Sequence, residues 1–130
     1  LIFNATAIAN LADNASSSPL TSLYISLHTA SPGIGGSQTT NETAYTNYAR
    51  VAVTRNSGGW TVASGAASNA ALIQFAQCGA SGATITHVAV GTASSGTGKV
   101  LYAGALNSSL AVANLIQPQF SIGALVCTES

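Results

Sequence analysis

The spacing of apolar side chains changes once along the chain. Ile2, Ala5, Ile8, Ala9 and Ala12 recur every three or four residues, with Asn4, Asn10 and Asp13 elsewhere. That period predicts a short amphipathic helix over 1–14. The Ser-rich stretch 14–19 ends it, because the residue before Pro19 is pushed out of the helical region. From Leu20 onward the period is two. Leu23, Ile25 and Leu27 alternate with Tyr24, Ser26 and His28, the pattern of a half-buried strand.

Further strands are predicted over 48–54, with Ala49, Val51 and Val53 on one face, and over 60–63 after the Ser57-Gly58-Gly59 turn. The segments 71–76, 84–91, 99–106, 110–113, 119–122 and 125–128 follow, each flanked by Gly, Ser, Asn or Pro. Short strands at such spacing, with turn signals between them, point to an all-β fold. The expected architecture is a single-domain β-sandwich or barrel, jelly-roll-like, spanning 1–130 behind the N-terminal helix. The composition does not change along the chain and no internal repeat is visible. Between strands, 31–47 carries Pro32, Gly33, Gly35 and Gly36 and almost no large apolar side chain. It is longer than most hairpin connections and reads as a long loop or arm.

Composition sharpens the picture. Hydrophobic residues make up 47% of the 130 residues and charged ones 5%, with zero net charge. An average soluble domain has about 25% charged residues. A surface so poor in charge does little to resist association, and Ser, Thr, Asn and Gly supply its polarity. Three scattered cations cannot line a phosphate backbone, so no nucleic-acid partner is expected. No apolar stretch reaches the ~18 residues of a spanning helix, so no membrane segment is expected either. Residues 1–12 lack the basic region and cleavage site of a secretory leader. Position 1 is Leu rather than Met, so residues ahead of it are expected to have been lost or left out.

Candidate chemistry is sparse. Paired carboxylates need two acids within a few ångströms, whereas Asp13, Glu42 and Glu129 are far apart in sequence. A Ser nucleophile needs His and an orienting acid; His28 and His87 both fall in predicted strands, where they are expected to pair across a sheet or sit at an interface. Cys78 and Cys127 form no closely spaced ligand pair for zinc. The expected state is two buried, reduced thiols packing as small hydrophobes, with a Cys78–Cys127 disulfide as the next alternative. Gly96-Thr97-Gly98-Lys99 lacks the earlier Gly and the following Ser or Thr of a phosphate loop, so it reads as a hairpin turn. Glycosylation-type triplets at Asn4, Asn14, Asn41 and Asn107 are expected by chance in so Asn- and Ser-rich a chain. No catalytic residue, cofactor or metal ligand emerges. Aromatic residues at the end of the polar arm are the better candidates, and Tyr45, Tyr48 and Arg50 are assigned to contact with a partner.

The run Leu23-Tyr24-Ile25-Ser26-Leu27-His28-Thr29-Ala30-Ser31-Pro32-Gly33, then Asn41-Glu42 and Tyr48-Ala49-Arg50-Val51-Ala52-Val53, resembles small virion proteins of tailed bacteriophages. The likeness continues through 83–91, with its Thr-His-Val-Ala-Val-Gly core, through Leu101-Tyr102-Ala103-Gly104-Ala105-Leu106, and through 120–128. It covers nearly the whole chain. The resemblance implies a structural protein of the virion, assembled in the bacterial cytoplasm, with no catalytic residue to carry over. The expected function is a capsid decoration (cement) protein that stabilises the particle through symmetric contacts. The alternative is a tail or tail-fibre component, and a carbohydrate-binding β-sandwich ranks third because it needs acids and aromatics in one groove. The implied partners are the major capsid protein or tail proteins, together with further copies in a homo-oligomer.

Overall fold

Strand β1 (Ser22–His28) forms where the period-two pattern is strongest, and its neighbours follow from the next β-branched runs. In the computed structural model, which describes residues 20–128, the sheet order is β2-β1-β6-β7. Here β2 is Val51–Thr54, β6 is Ala83–Gly91 and β7 is Val100–Val112. β1 and β6 pair antiparallel, with Ile25 opposite Val90 and His28 opposite His87. β6 and β7 pair antiparallel in turn. A second sheet has the order β3-β4-β9, from Trp60–Ala63, Ala66–Asn69 and Val126–Thr128. β5 (Ile73–Gln74) and β8 (Gln119–Phe120) form a short two-stranded pair. The all-β expectation stands. The helix predicted over 1–14 lies outside the described residues.

The chain divides into two compact units. In its described part the first comprises 20–23, Val53–Ile73 and 120–128; the second comprises Tyr24–Ala52 and Gln74–Gln119. In the first unit, Trp60, Ala67, Leu125 and Cys127 are buried. β4 was not expected, because Ala-Ala-Ser-Asn has little strand propensity. It forms because Ser64 and Gly65 both adopt positive φ, 50° and 77°, the geometry of a tight two-residue hairpin turn. That turn returns β4 onto β3, and β9 closes its other side.

Asn69 holds this unit together. Its Nδ2 donates to the carbonyls of Ala71 (2.8 Å) and Ser121 (2.9 Å), and its Oδ1 accepts from the Leu125 amide at 2.9 Å. The residue is 1% exposed. Asn69→Ala leaves these backbone groups unpaired where water does not reach, at about 1–3 kcal/mol for each group left buried without a partner. The expected result is a loss of roughly 3 kcal/mol or more, read as a fall in the urea midpoint with unchanged slope. A loss below ~1 kcal/mol would show that water replaces the amide.

In the second unit, Ile25, Leu27, Phe75, Ile85 and Val90 are buried, each worth about 1.5–3 kcal/mol relative to exposure. β7 differs from the two strands expected over 99–106 and 110–113. Ile85 pairs with Leu110 and His87 with Ala105, so β7 spends four residues (106–109) where β6 spends one. The ladder takes up Asn107-Ser108-Ser109 as a bulge instead of breaking into a turn.

Candidate functional site

β1 was expected to be half-buried, yet Ser26 and His28 are as inaccessible as Ile25 and Leu27. The cause is the 31–47 segment, which lies against β1 and the start of β7 within the second unit. Thr29 and Thr43 amides donate to the Asn41 and Leu27 carbonyls, at 2.9 Å each, and the Gln38 amide donates to Gly98 at 3.0 Å. Single bridges join His28 to Glu42 and Ser37 to Lys99. Polar side chains complete the attachment. Gln38 is 0% exposed; its Oε1 accepts from the Ala93 amide (2.9 Å) and its Nε2 donates to the Tyr24 carbonyl (3.3 Å). Gly91 leaves room for it, since a Cβ there would fall 2.1 Å from Gln38 Cδ.

At the far end of the segment stands an ion pair. Arg50 Nε donates to Glu42 Oε1 at 2.7 Å and Nη2 to Oε2 at 2.8 Å, a bidentate fork. Arg50 Nη1 and Nη2 also donate to the carbonyls of Ala93 (2.9 Å) and Gly96 (2.7 Å) in the β6–β7 hairpin. The side chains of Arg50 and Glu42 are only 3% and 14% exposed. Glu42 holds the guanidinium above its ordinary pKa. Tyr48 donates its hydroxyl to Glu42 Oε1 (2.8 Å) and accepts from the Leu27 amide (3.0 Å). Burial first, and Glu42 after it, push the Tyr48 phenol far above its usual range. Tyr45 is 3% exposed and donates to the Ala76 carbonyl at 2.9 Å. Its phenol is pushed up to about 12, by burial and then by Cys78. The Tyr45 ring meets the Tyr48 ring edge-on, and Tyr48 stacks on Phe75.

The structure thus brings Tyr48 and Arg50 together on Glu42 and sets Tyr45 against Tyr48, all inside their own unit. Glu42, Gln38 and the glycine that admits Gln38 were not singled out from the sequence. One signal was available: in a chain with six charges, an acid and an arginine eight residues apart flank the end of the polar segment.

His28 Nδ1 lies 2.9 Å from the Thr40 carbonyl, which can only accept, so Nδ1 carries the proton. Nε2 then accepts from the Ser26 hydroxyl at 2.9 Å. A Ser hydroxyl on an oriented imidazole is the start of a nucleophilic dyad. Both residues are 0% exposed, however, and the nearby carboxylate of Glu42 is committed to Arg50. The arrangement packs a strand face and offers nothing to a substrate. His87 sits opposite His28 in the ladder, as the strand reading expected, and shares a hydrogen bond with Thr86 Oγ1. Cys78 and Cys127 are free and buried, and burial pushes the Cys127 thiol up to about 11. No cluster of three metal-ligating side chains occurs among the described residues.

Burial lowers the His28 pKa, with Arg50 and His87 acting in the same direction and the Thr40 carbonyl and Glu42 against it. Below about pH 6.5 the unfolded chain therefore binds a proton that the folded chain resists. The stabilisation is complete above that pH and is lost as the pH falls. Urea midpoints are expected to decline between pH 7 and 5, with a shallower decline in His28→Gln. Equal slopes in the two proteins would assign the pH dependence to other groups.

The surface is as quiet as the interior is cross-tied. Of the described charged residues, Glu42 and Arg50 neutralise each other and Arg55 is buried with Nη1 on the Leu20 carbonyl at 2.6 Å. Lys99 is the one charged residue among the described ones that is exposed. A family model described as Podophage GP4 fiber I protein gp80 matches residues 3–128. The chain belongs to this family. Membership in the fiber I family makes it a phage virion protein, whose place is the virion and whose associates are other virion components. The tail-fibre alternative gains support from the match and the capsid-decoration reading gains none. No curated protein matches the chain. No helix among the described residues is long and apolar enough to cross a membrane.

Proposed function

We propose that this protein is a non-enzymatic structural component of the tail-fibre apparatus of a podophage-type particle. The family match over 3–128 carries the reading. The charge-poor surface supports it, because such a surface suits many modest contacts repeated by symmetry. Its partners are tail proteins and further copies of itself, bound through apolar and backbone groups rather than ion pairs. The test is to locate the chain in the density of intact particles and to count its copies. Fibres joined to the tail, with a few to some dozens of copies, are the expected result. Hundreds of copies spread over the head would overturn it in favour of decoration.

A further inference from the structure

His28 is a buried imidazole whose chemistry the fibre reading leaves unused. Its Nδ1 proton goes to the Thr40 carbonyl and its Nε2 accepts from Ser26 Oγ, with both His28 and Ser26 0% exposed. That pairing requires the neutral ring. On an imidazolium both nitrogens donate, so Ser26 would have to turn its own proton away. Among the described residues the Ser26 side chain has no second partner to take it. An unpaired buried donor would then add its cost to that of a buried charge. The charged and titratable groups around the ring offer no relief. Glu42, from the 31–47 segment, is already forked onto Arg50 and bonded by Tyr48. His87 stands directly opposite on β6, and Arg50 adds a like charge.

The cover over the ring is held less firmly than the ring's own strand. β1 and β6 pair without a break from Tyr24 opposite Gly91 to His28 opposite His87. Residues 37–41 are held by isolated bonds instead. The Gln38 amide donates to Gly98, the Thr29 amide to Asn41, and a single bridge joins Ser37 to Lys99. The Gln38 side chain adds its bonds to Tyr24 and Ala93. Just beyond, the Arg50 fork fixes Glu42 and the Leu27 carbonyl fixes the Thr43 amide. We propose that His28 is a proton-operated latch on residues 37–41, taking up its proton through a local opening of that stretch while the β1–β6 ladder stays paired. Lifting the cover gives water to both the imidazolium and the Ser26 hydroxyl. Open, the ring binds a proton at its ordinary value of about 6.5; closed, it resists one. The latch is therefore fully closed above that pH, and opening becomes easier below it, by at most about tenfold per pH unit. The proposal goes beyond the fibre reading and does not depend on it.

The test is amide hydrogen exchange of the full chain, read residue by residue by NMR at pH 7.5 and 5.5 and corrected for intrinsic rates. Low urea separates local openings, which expose little surface and respond weakly, from global unfolding. The Gln38 and Thr29 amides are expected to exchange through an opening that low urea barely changes. Their protection should fall by about tenfold between the two pH values. Amides of β6 should be better protected and should show the full urea dependence. In His28→Gln the new side chain can donate to Thr40 and accept from Ser26, so the stretch stays covered and the pH response of Gln38 and Thr29 should vanish. His87→Gln should keep that response. The proposal is overturned if Gln38 and Thr29 exchange with the protection and urea slope of β6, because the only opening is then global. It is equally overturned if their protection ignores pH, if the response survives His28→Gln, or if His87→Gln abolishes it. The wild-type pattern decides between local and global opening even where a variant does not fold.

Discussion

Arg50→Ala is expected to destabilise the chain by about 3–5 kcal/mol, the usual cost of leaving one member of a buried pair without the other. The substitution strands the Glu42 carboxylate, which is 14% exposed and keeps only the Tyr48 hydroxyl as a donor. It also frees the Ala93 and Gly96 carbonyls that Arg50 ties to the end of the polar segment. Thermal unfolding should shift down by roughly 10 °C or more at this chain length. Replacing the pair together, as Glu42→Leu with Arg50→Met, should cost clearly less than Arg50→Ala alone, because no charge is then left buried. If the double variant is the worse of the two, the ion pair itself contributes net stability beyond the desolvation it requires. If Arg50→Ala is nearly neutral, solvent reaches Glu42 and the pair is not a structural tie.

The neighbourhood of this hub was legible in the sequence, but its orientation was not. Tyr48 and Arg50, two residues apart, were read as an outward face; both bond to Glu42 of their own unit. Residue type cannot tell which side of an extended segment faces in when the segment's own cover is polar. The same cause hid the burial of 31–47. Gln38, Thr43 and Glu42 look like surface residues, and only the paired geometry around Gly91 and Leu27 makes them interior. Strands with β-branched alternation, β1 and β6, were legible almost to their ends. β4 was not, because its Ala-Ala-Ser-Asn is held in place by a hairpin turn and two neighbours rather than by propensity. The N-terminal bound of β7 was readable, while its continuity past Asn107 depended on how a ladder absorbs extra residues. Family membership came from the likeness of the whole chain, since no single residue carries chemistry that would betray it.

Replacing 33–44 with a Gly-Ser linker should have the largest effect of any change considered. Read from sequence, this stretch is an arm whose shortening leaves an isolated domain folded, since surface loops tolerate changes of length. The structure divides it into two parts with opposite expectations. At the tip, Gly33, Ile34 and Gly35 are exposed, and the local bonds are a Gly33 amide to Ser31 Oγ and a Gly36 amide to the Gly33 carbonyl. From Gln38 to Thr43 the segment instead supplies the Gln38 amide, the Thr40 carbonyl under His28 and the Glu42 carboxylate under Arg50. Its removal leaves a buried guanidinium without its acid and a buried imidazole N–H without its acceptor. It also opens a void beside Gly91. At about 1–3 kcal/mol for each unpaired neutral group, and more for the charge, the sum takes most of the roughly 5–15 kcal/mol that holds a domain folded. The 33–44 replacement is therefore expected to unfold the second unit in isolation. Exchanging 33–35 alone for Gly-Ser-Gly, which keeps glycine at both positive-φ positions, should stay within about 0.5–1 kcal/mol of wild type. Circular dichroism and urea titration of the two variants decide it. A 33–44 variant as stable as wild type would return the segment to the role of a free arm, whereas a 33–35 variant that unfolds would place the tip in the core as well.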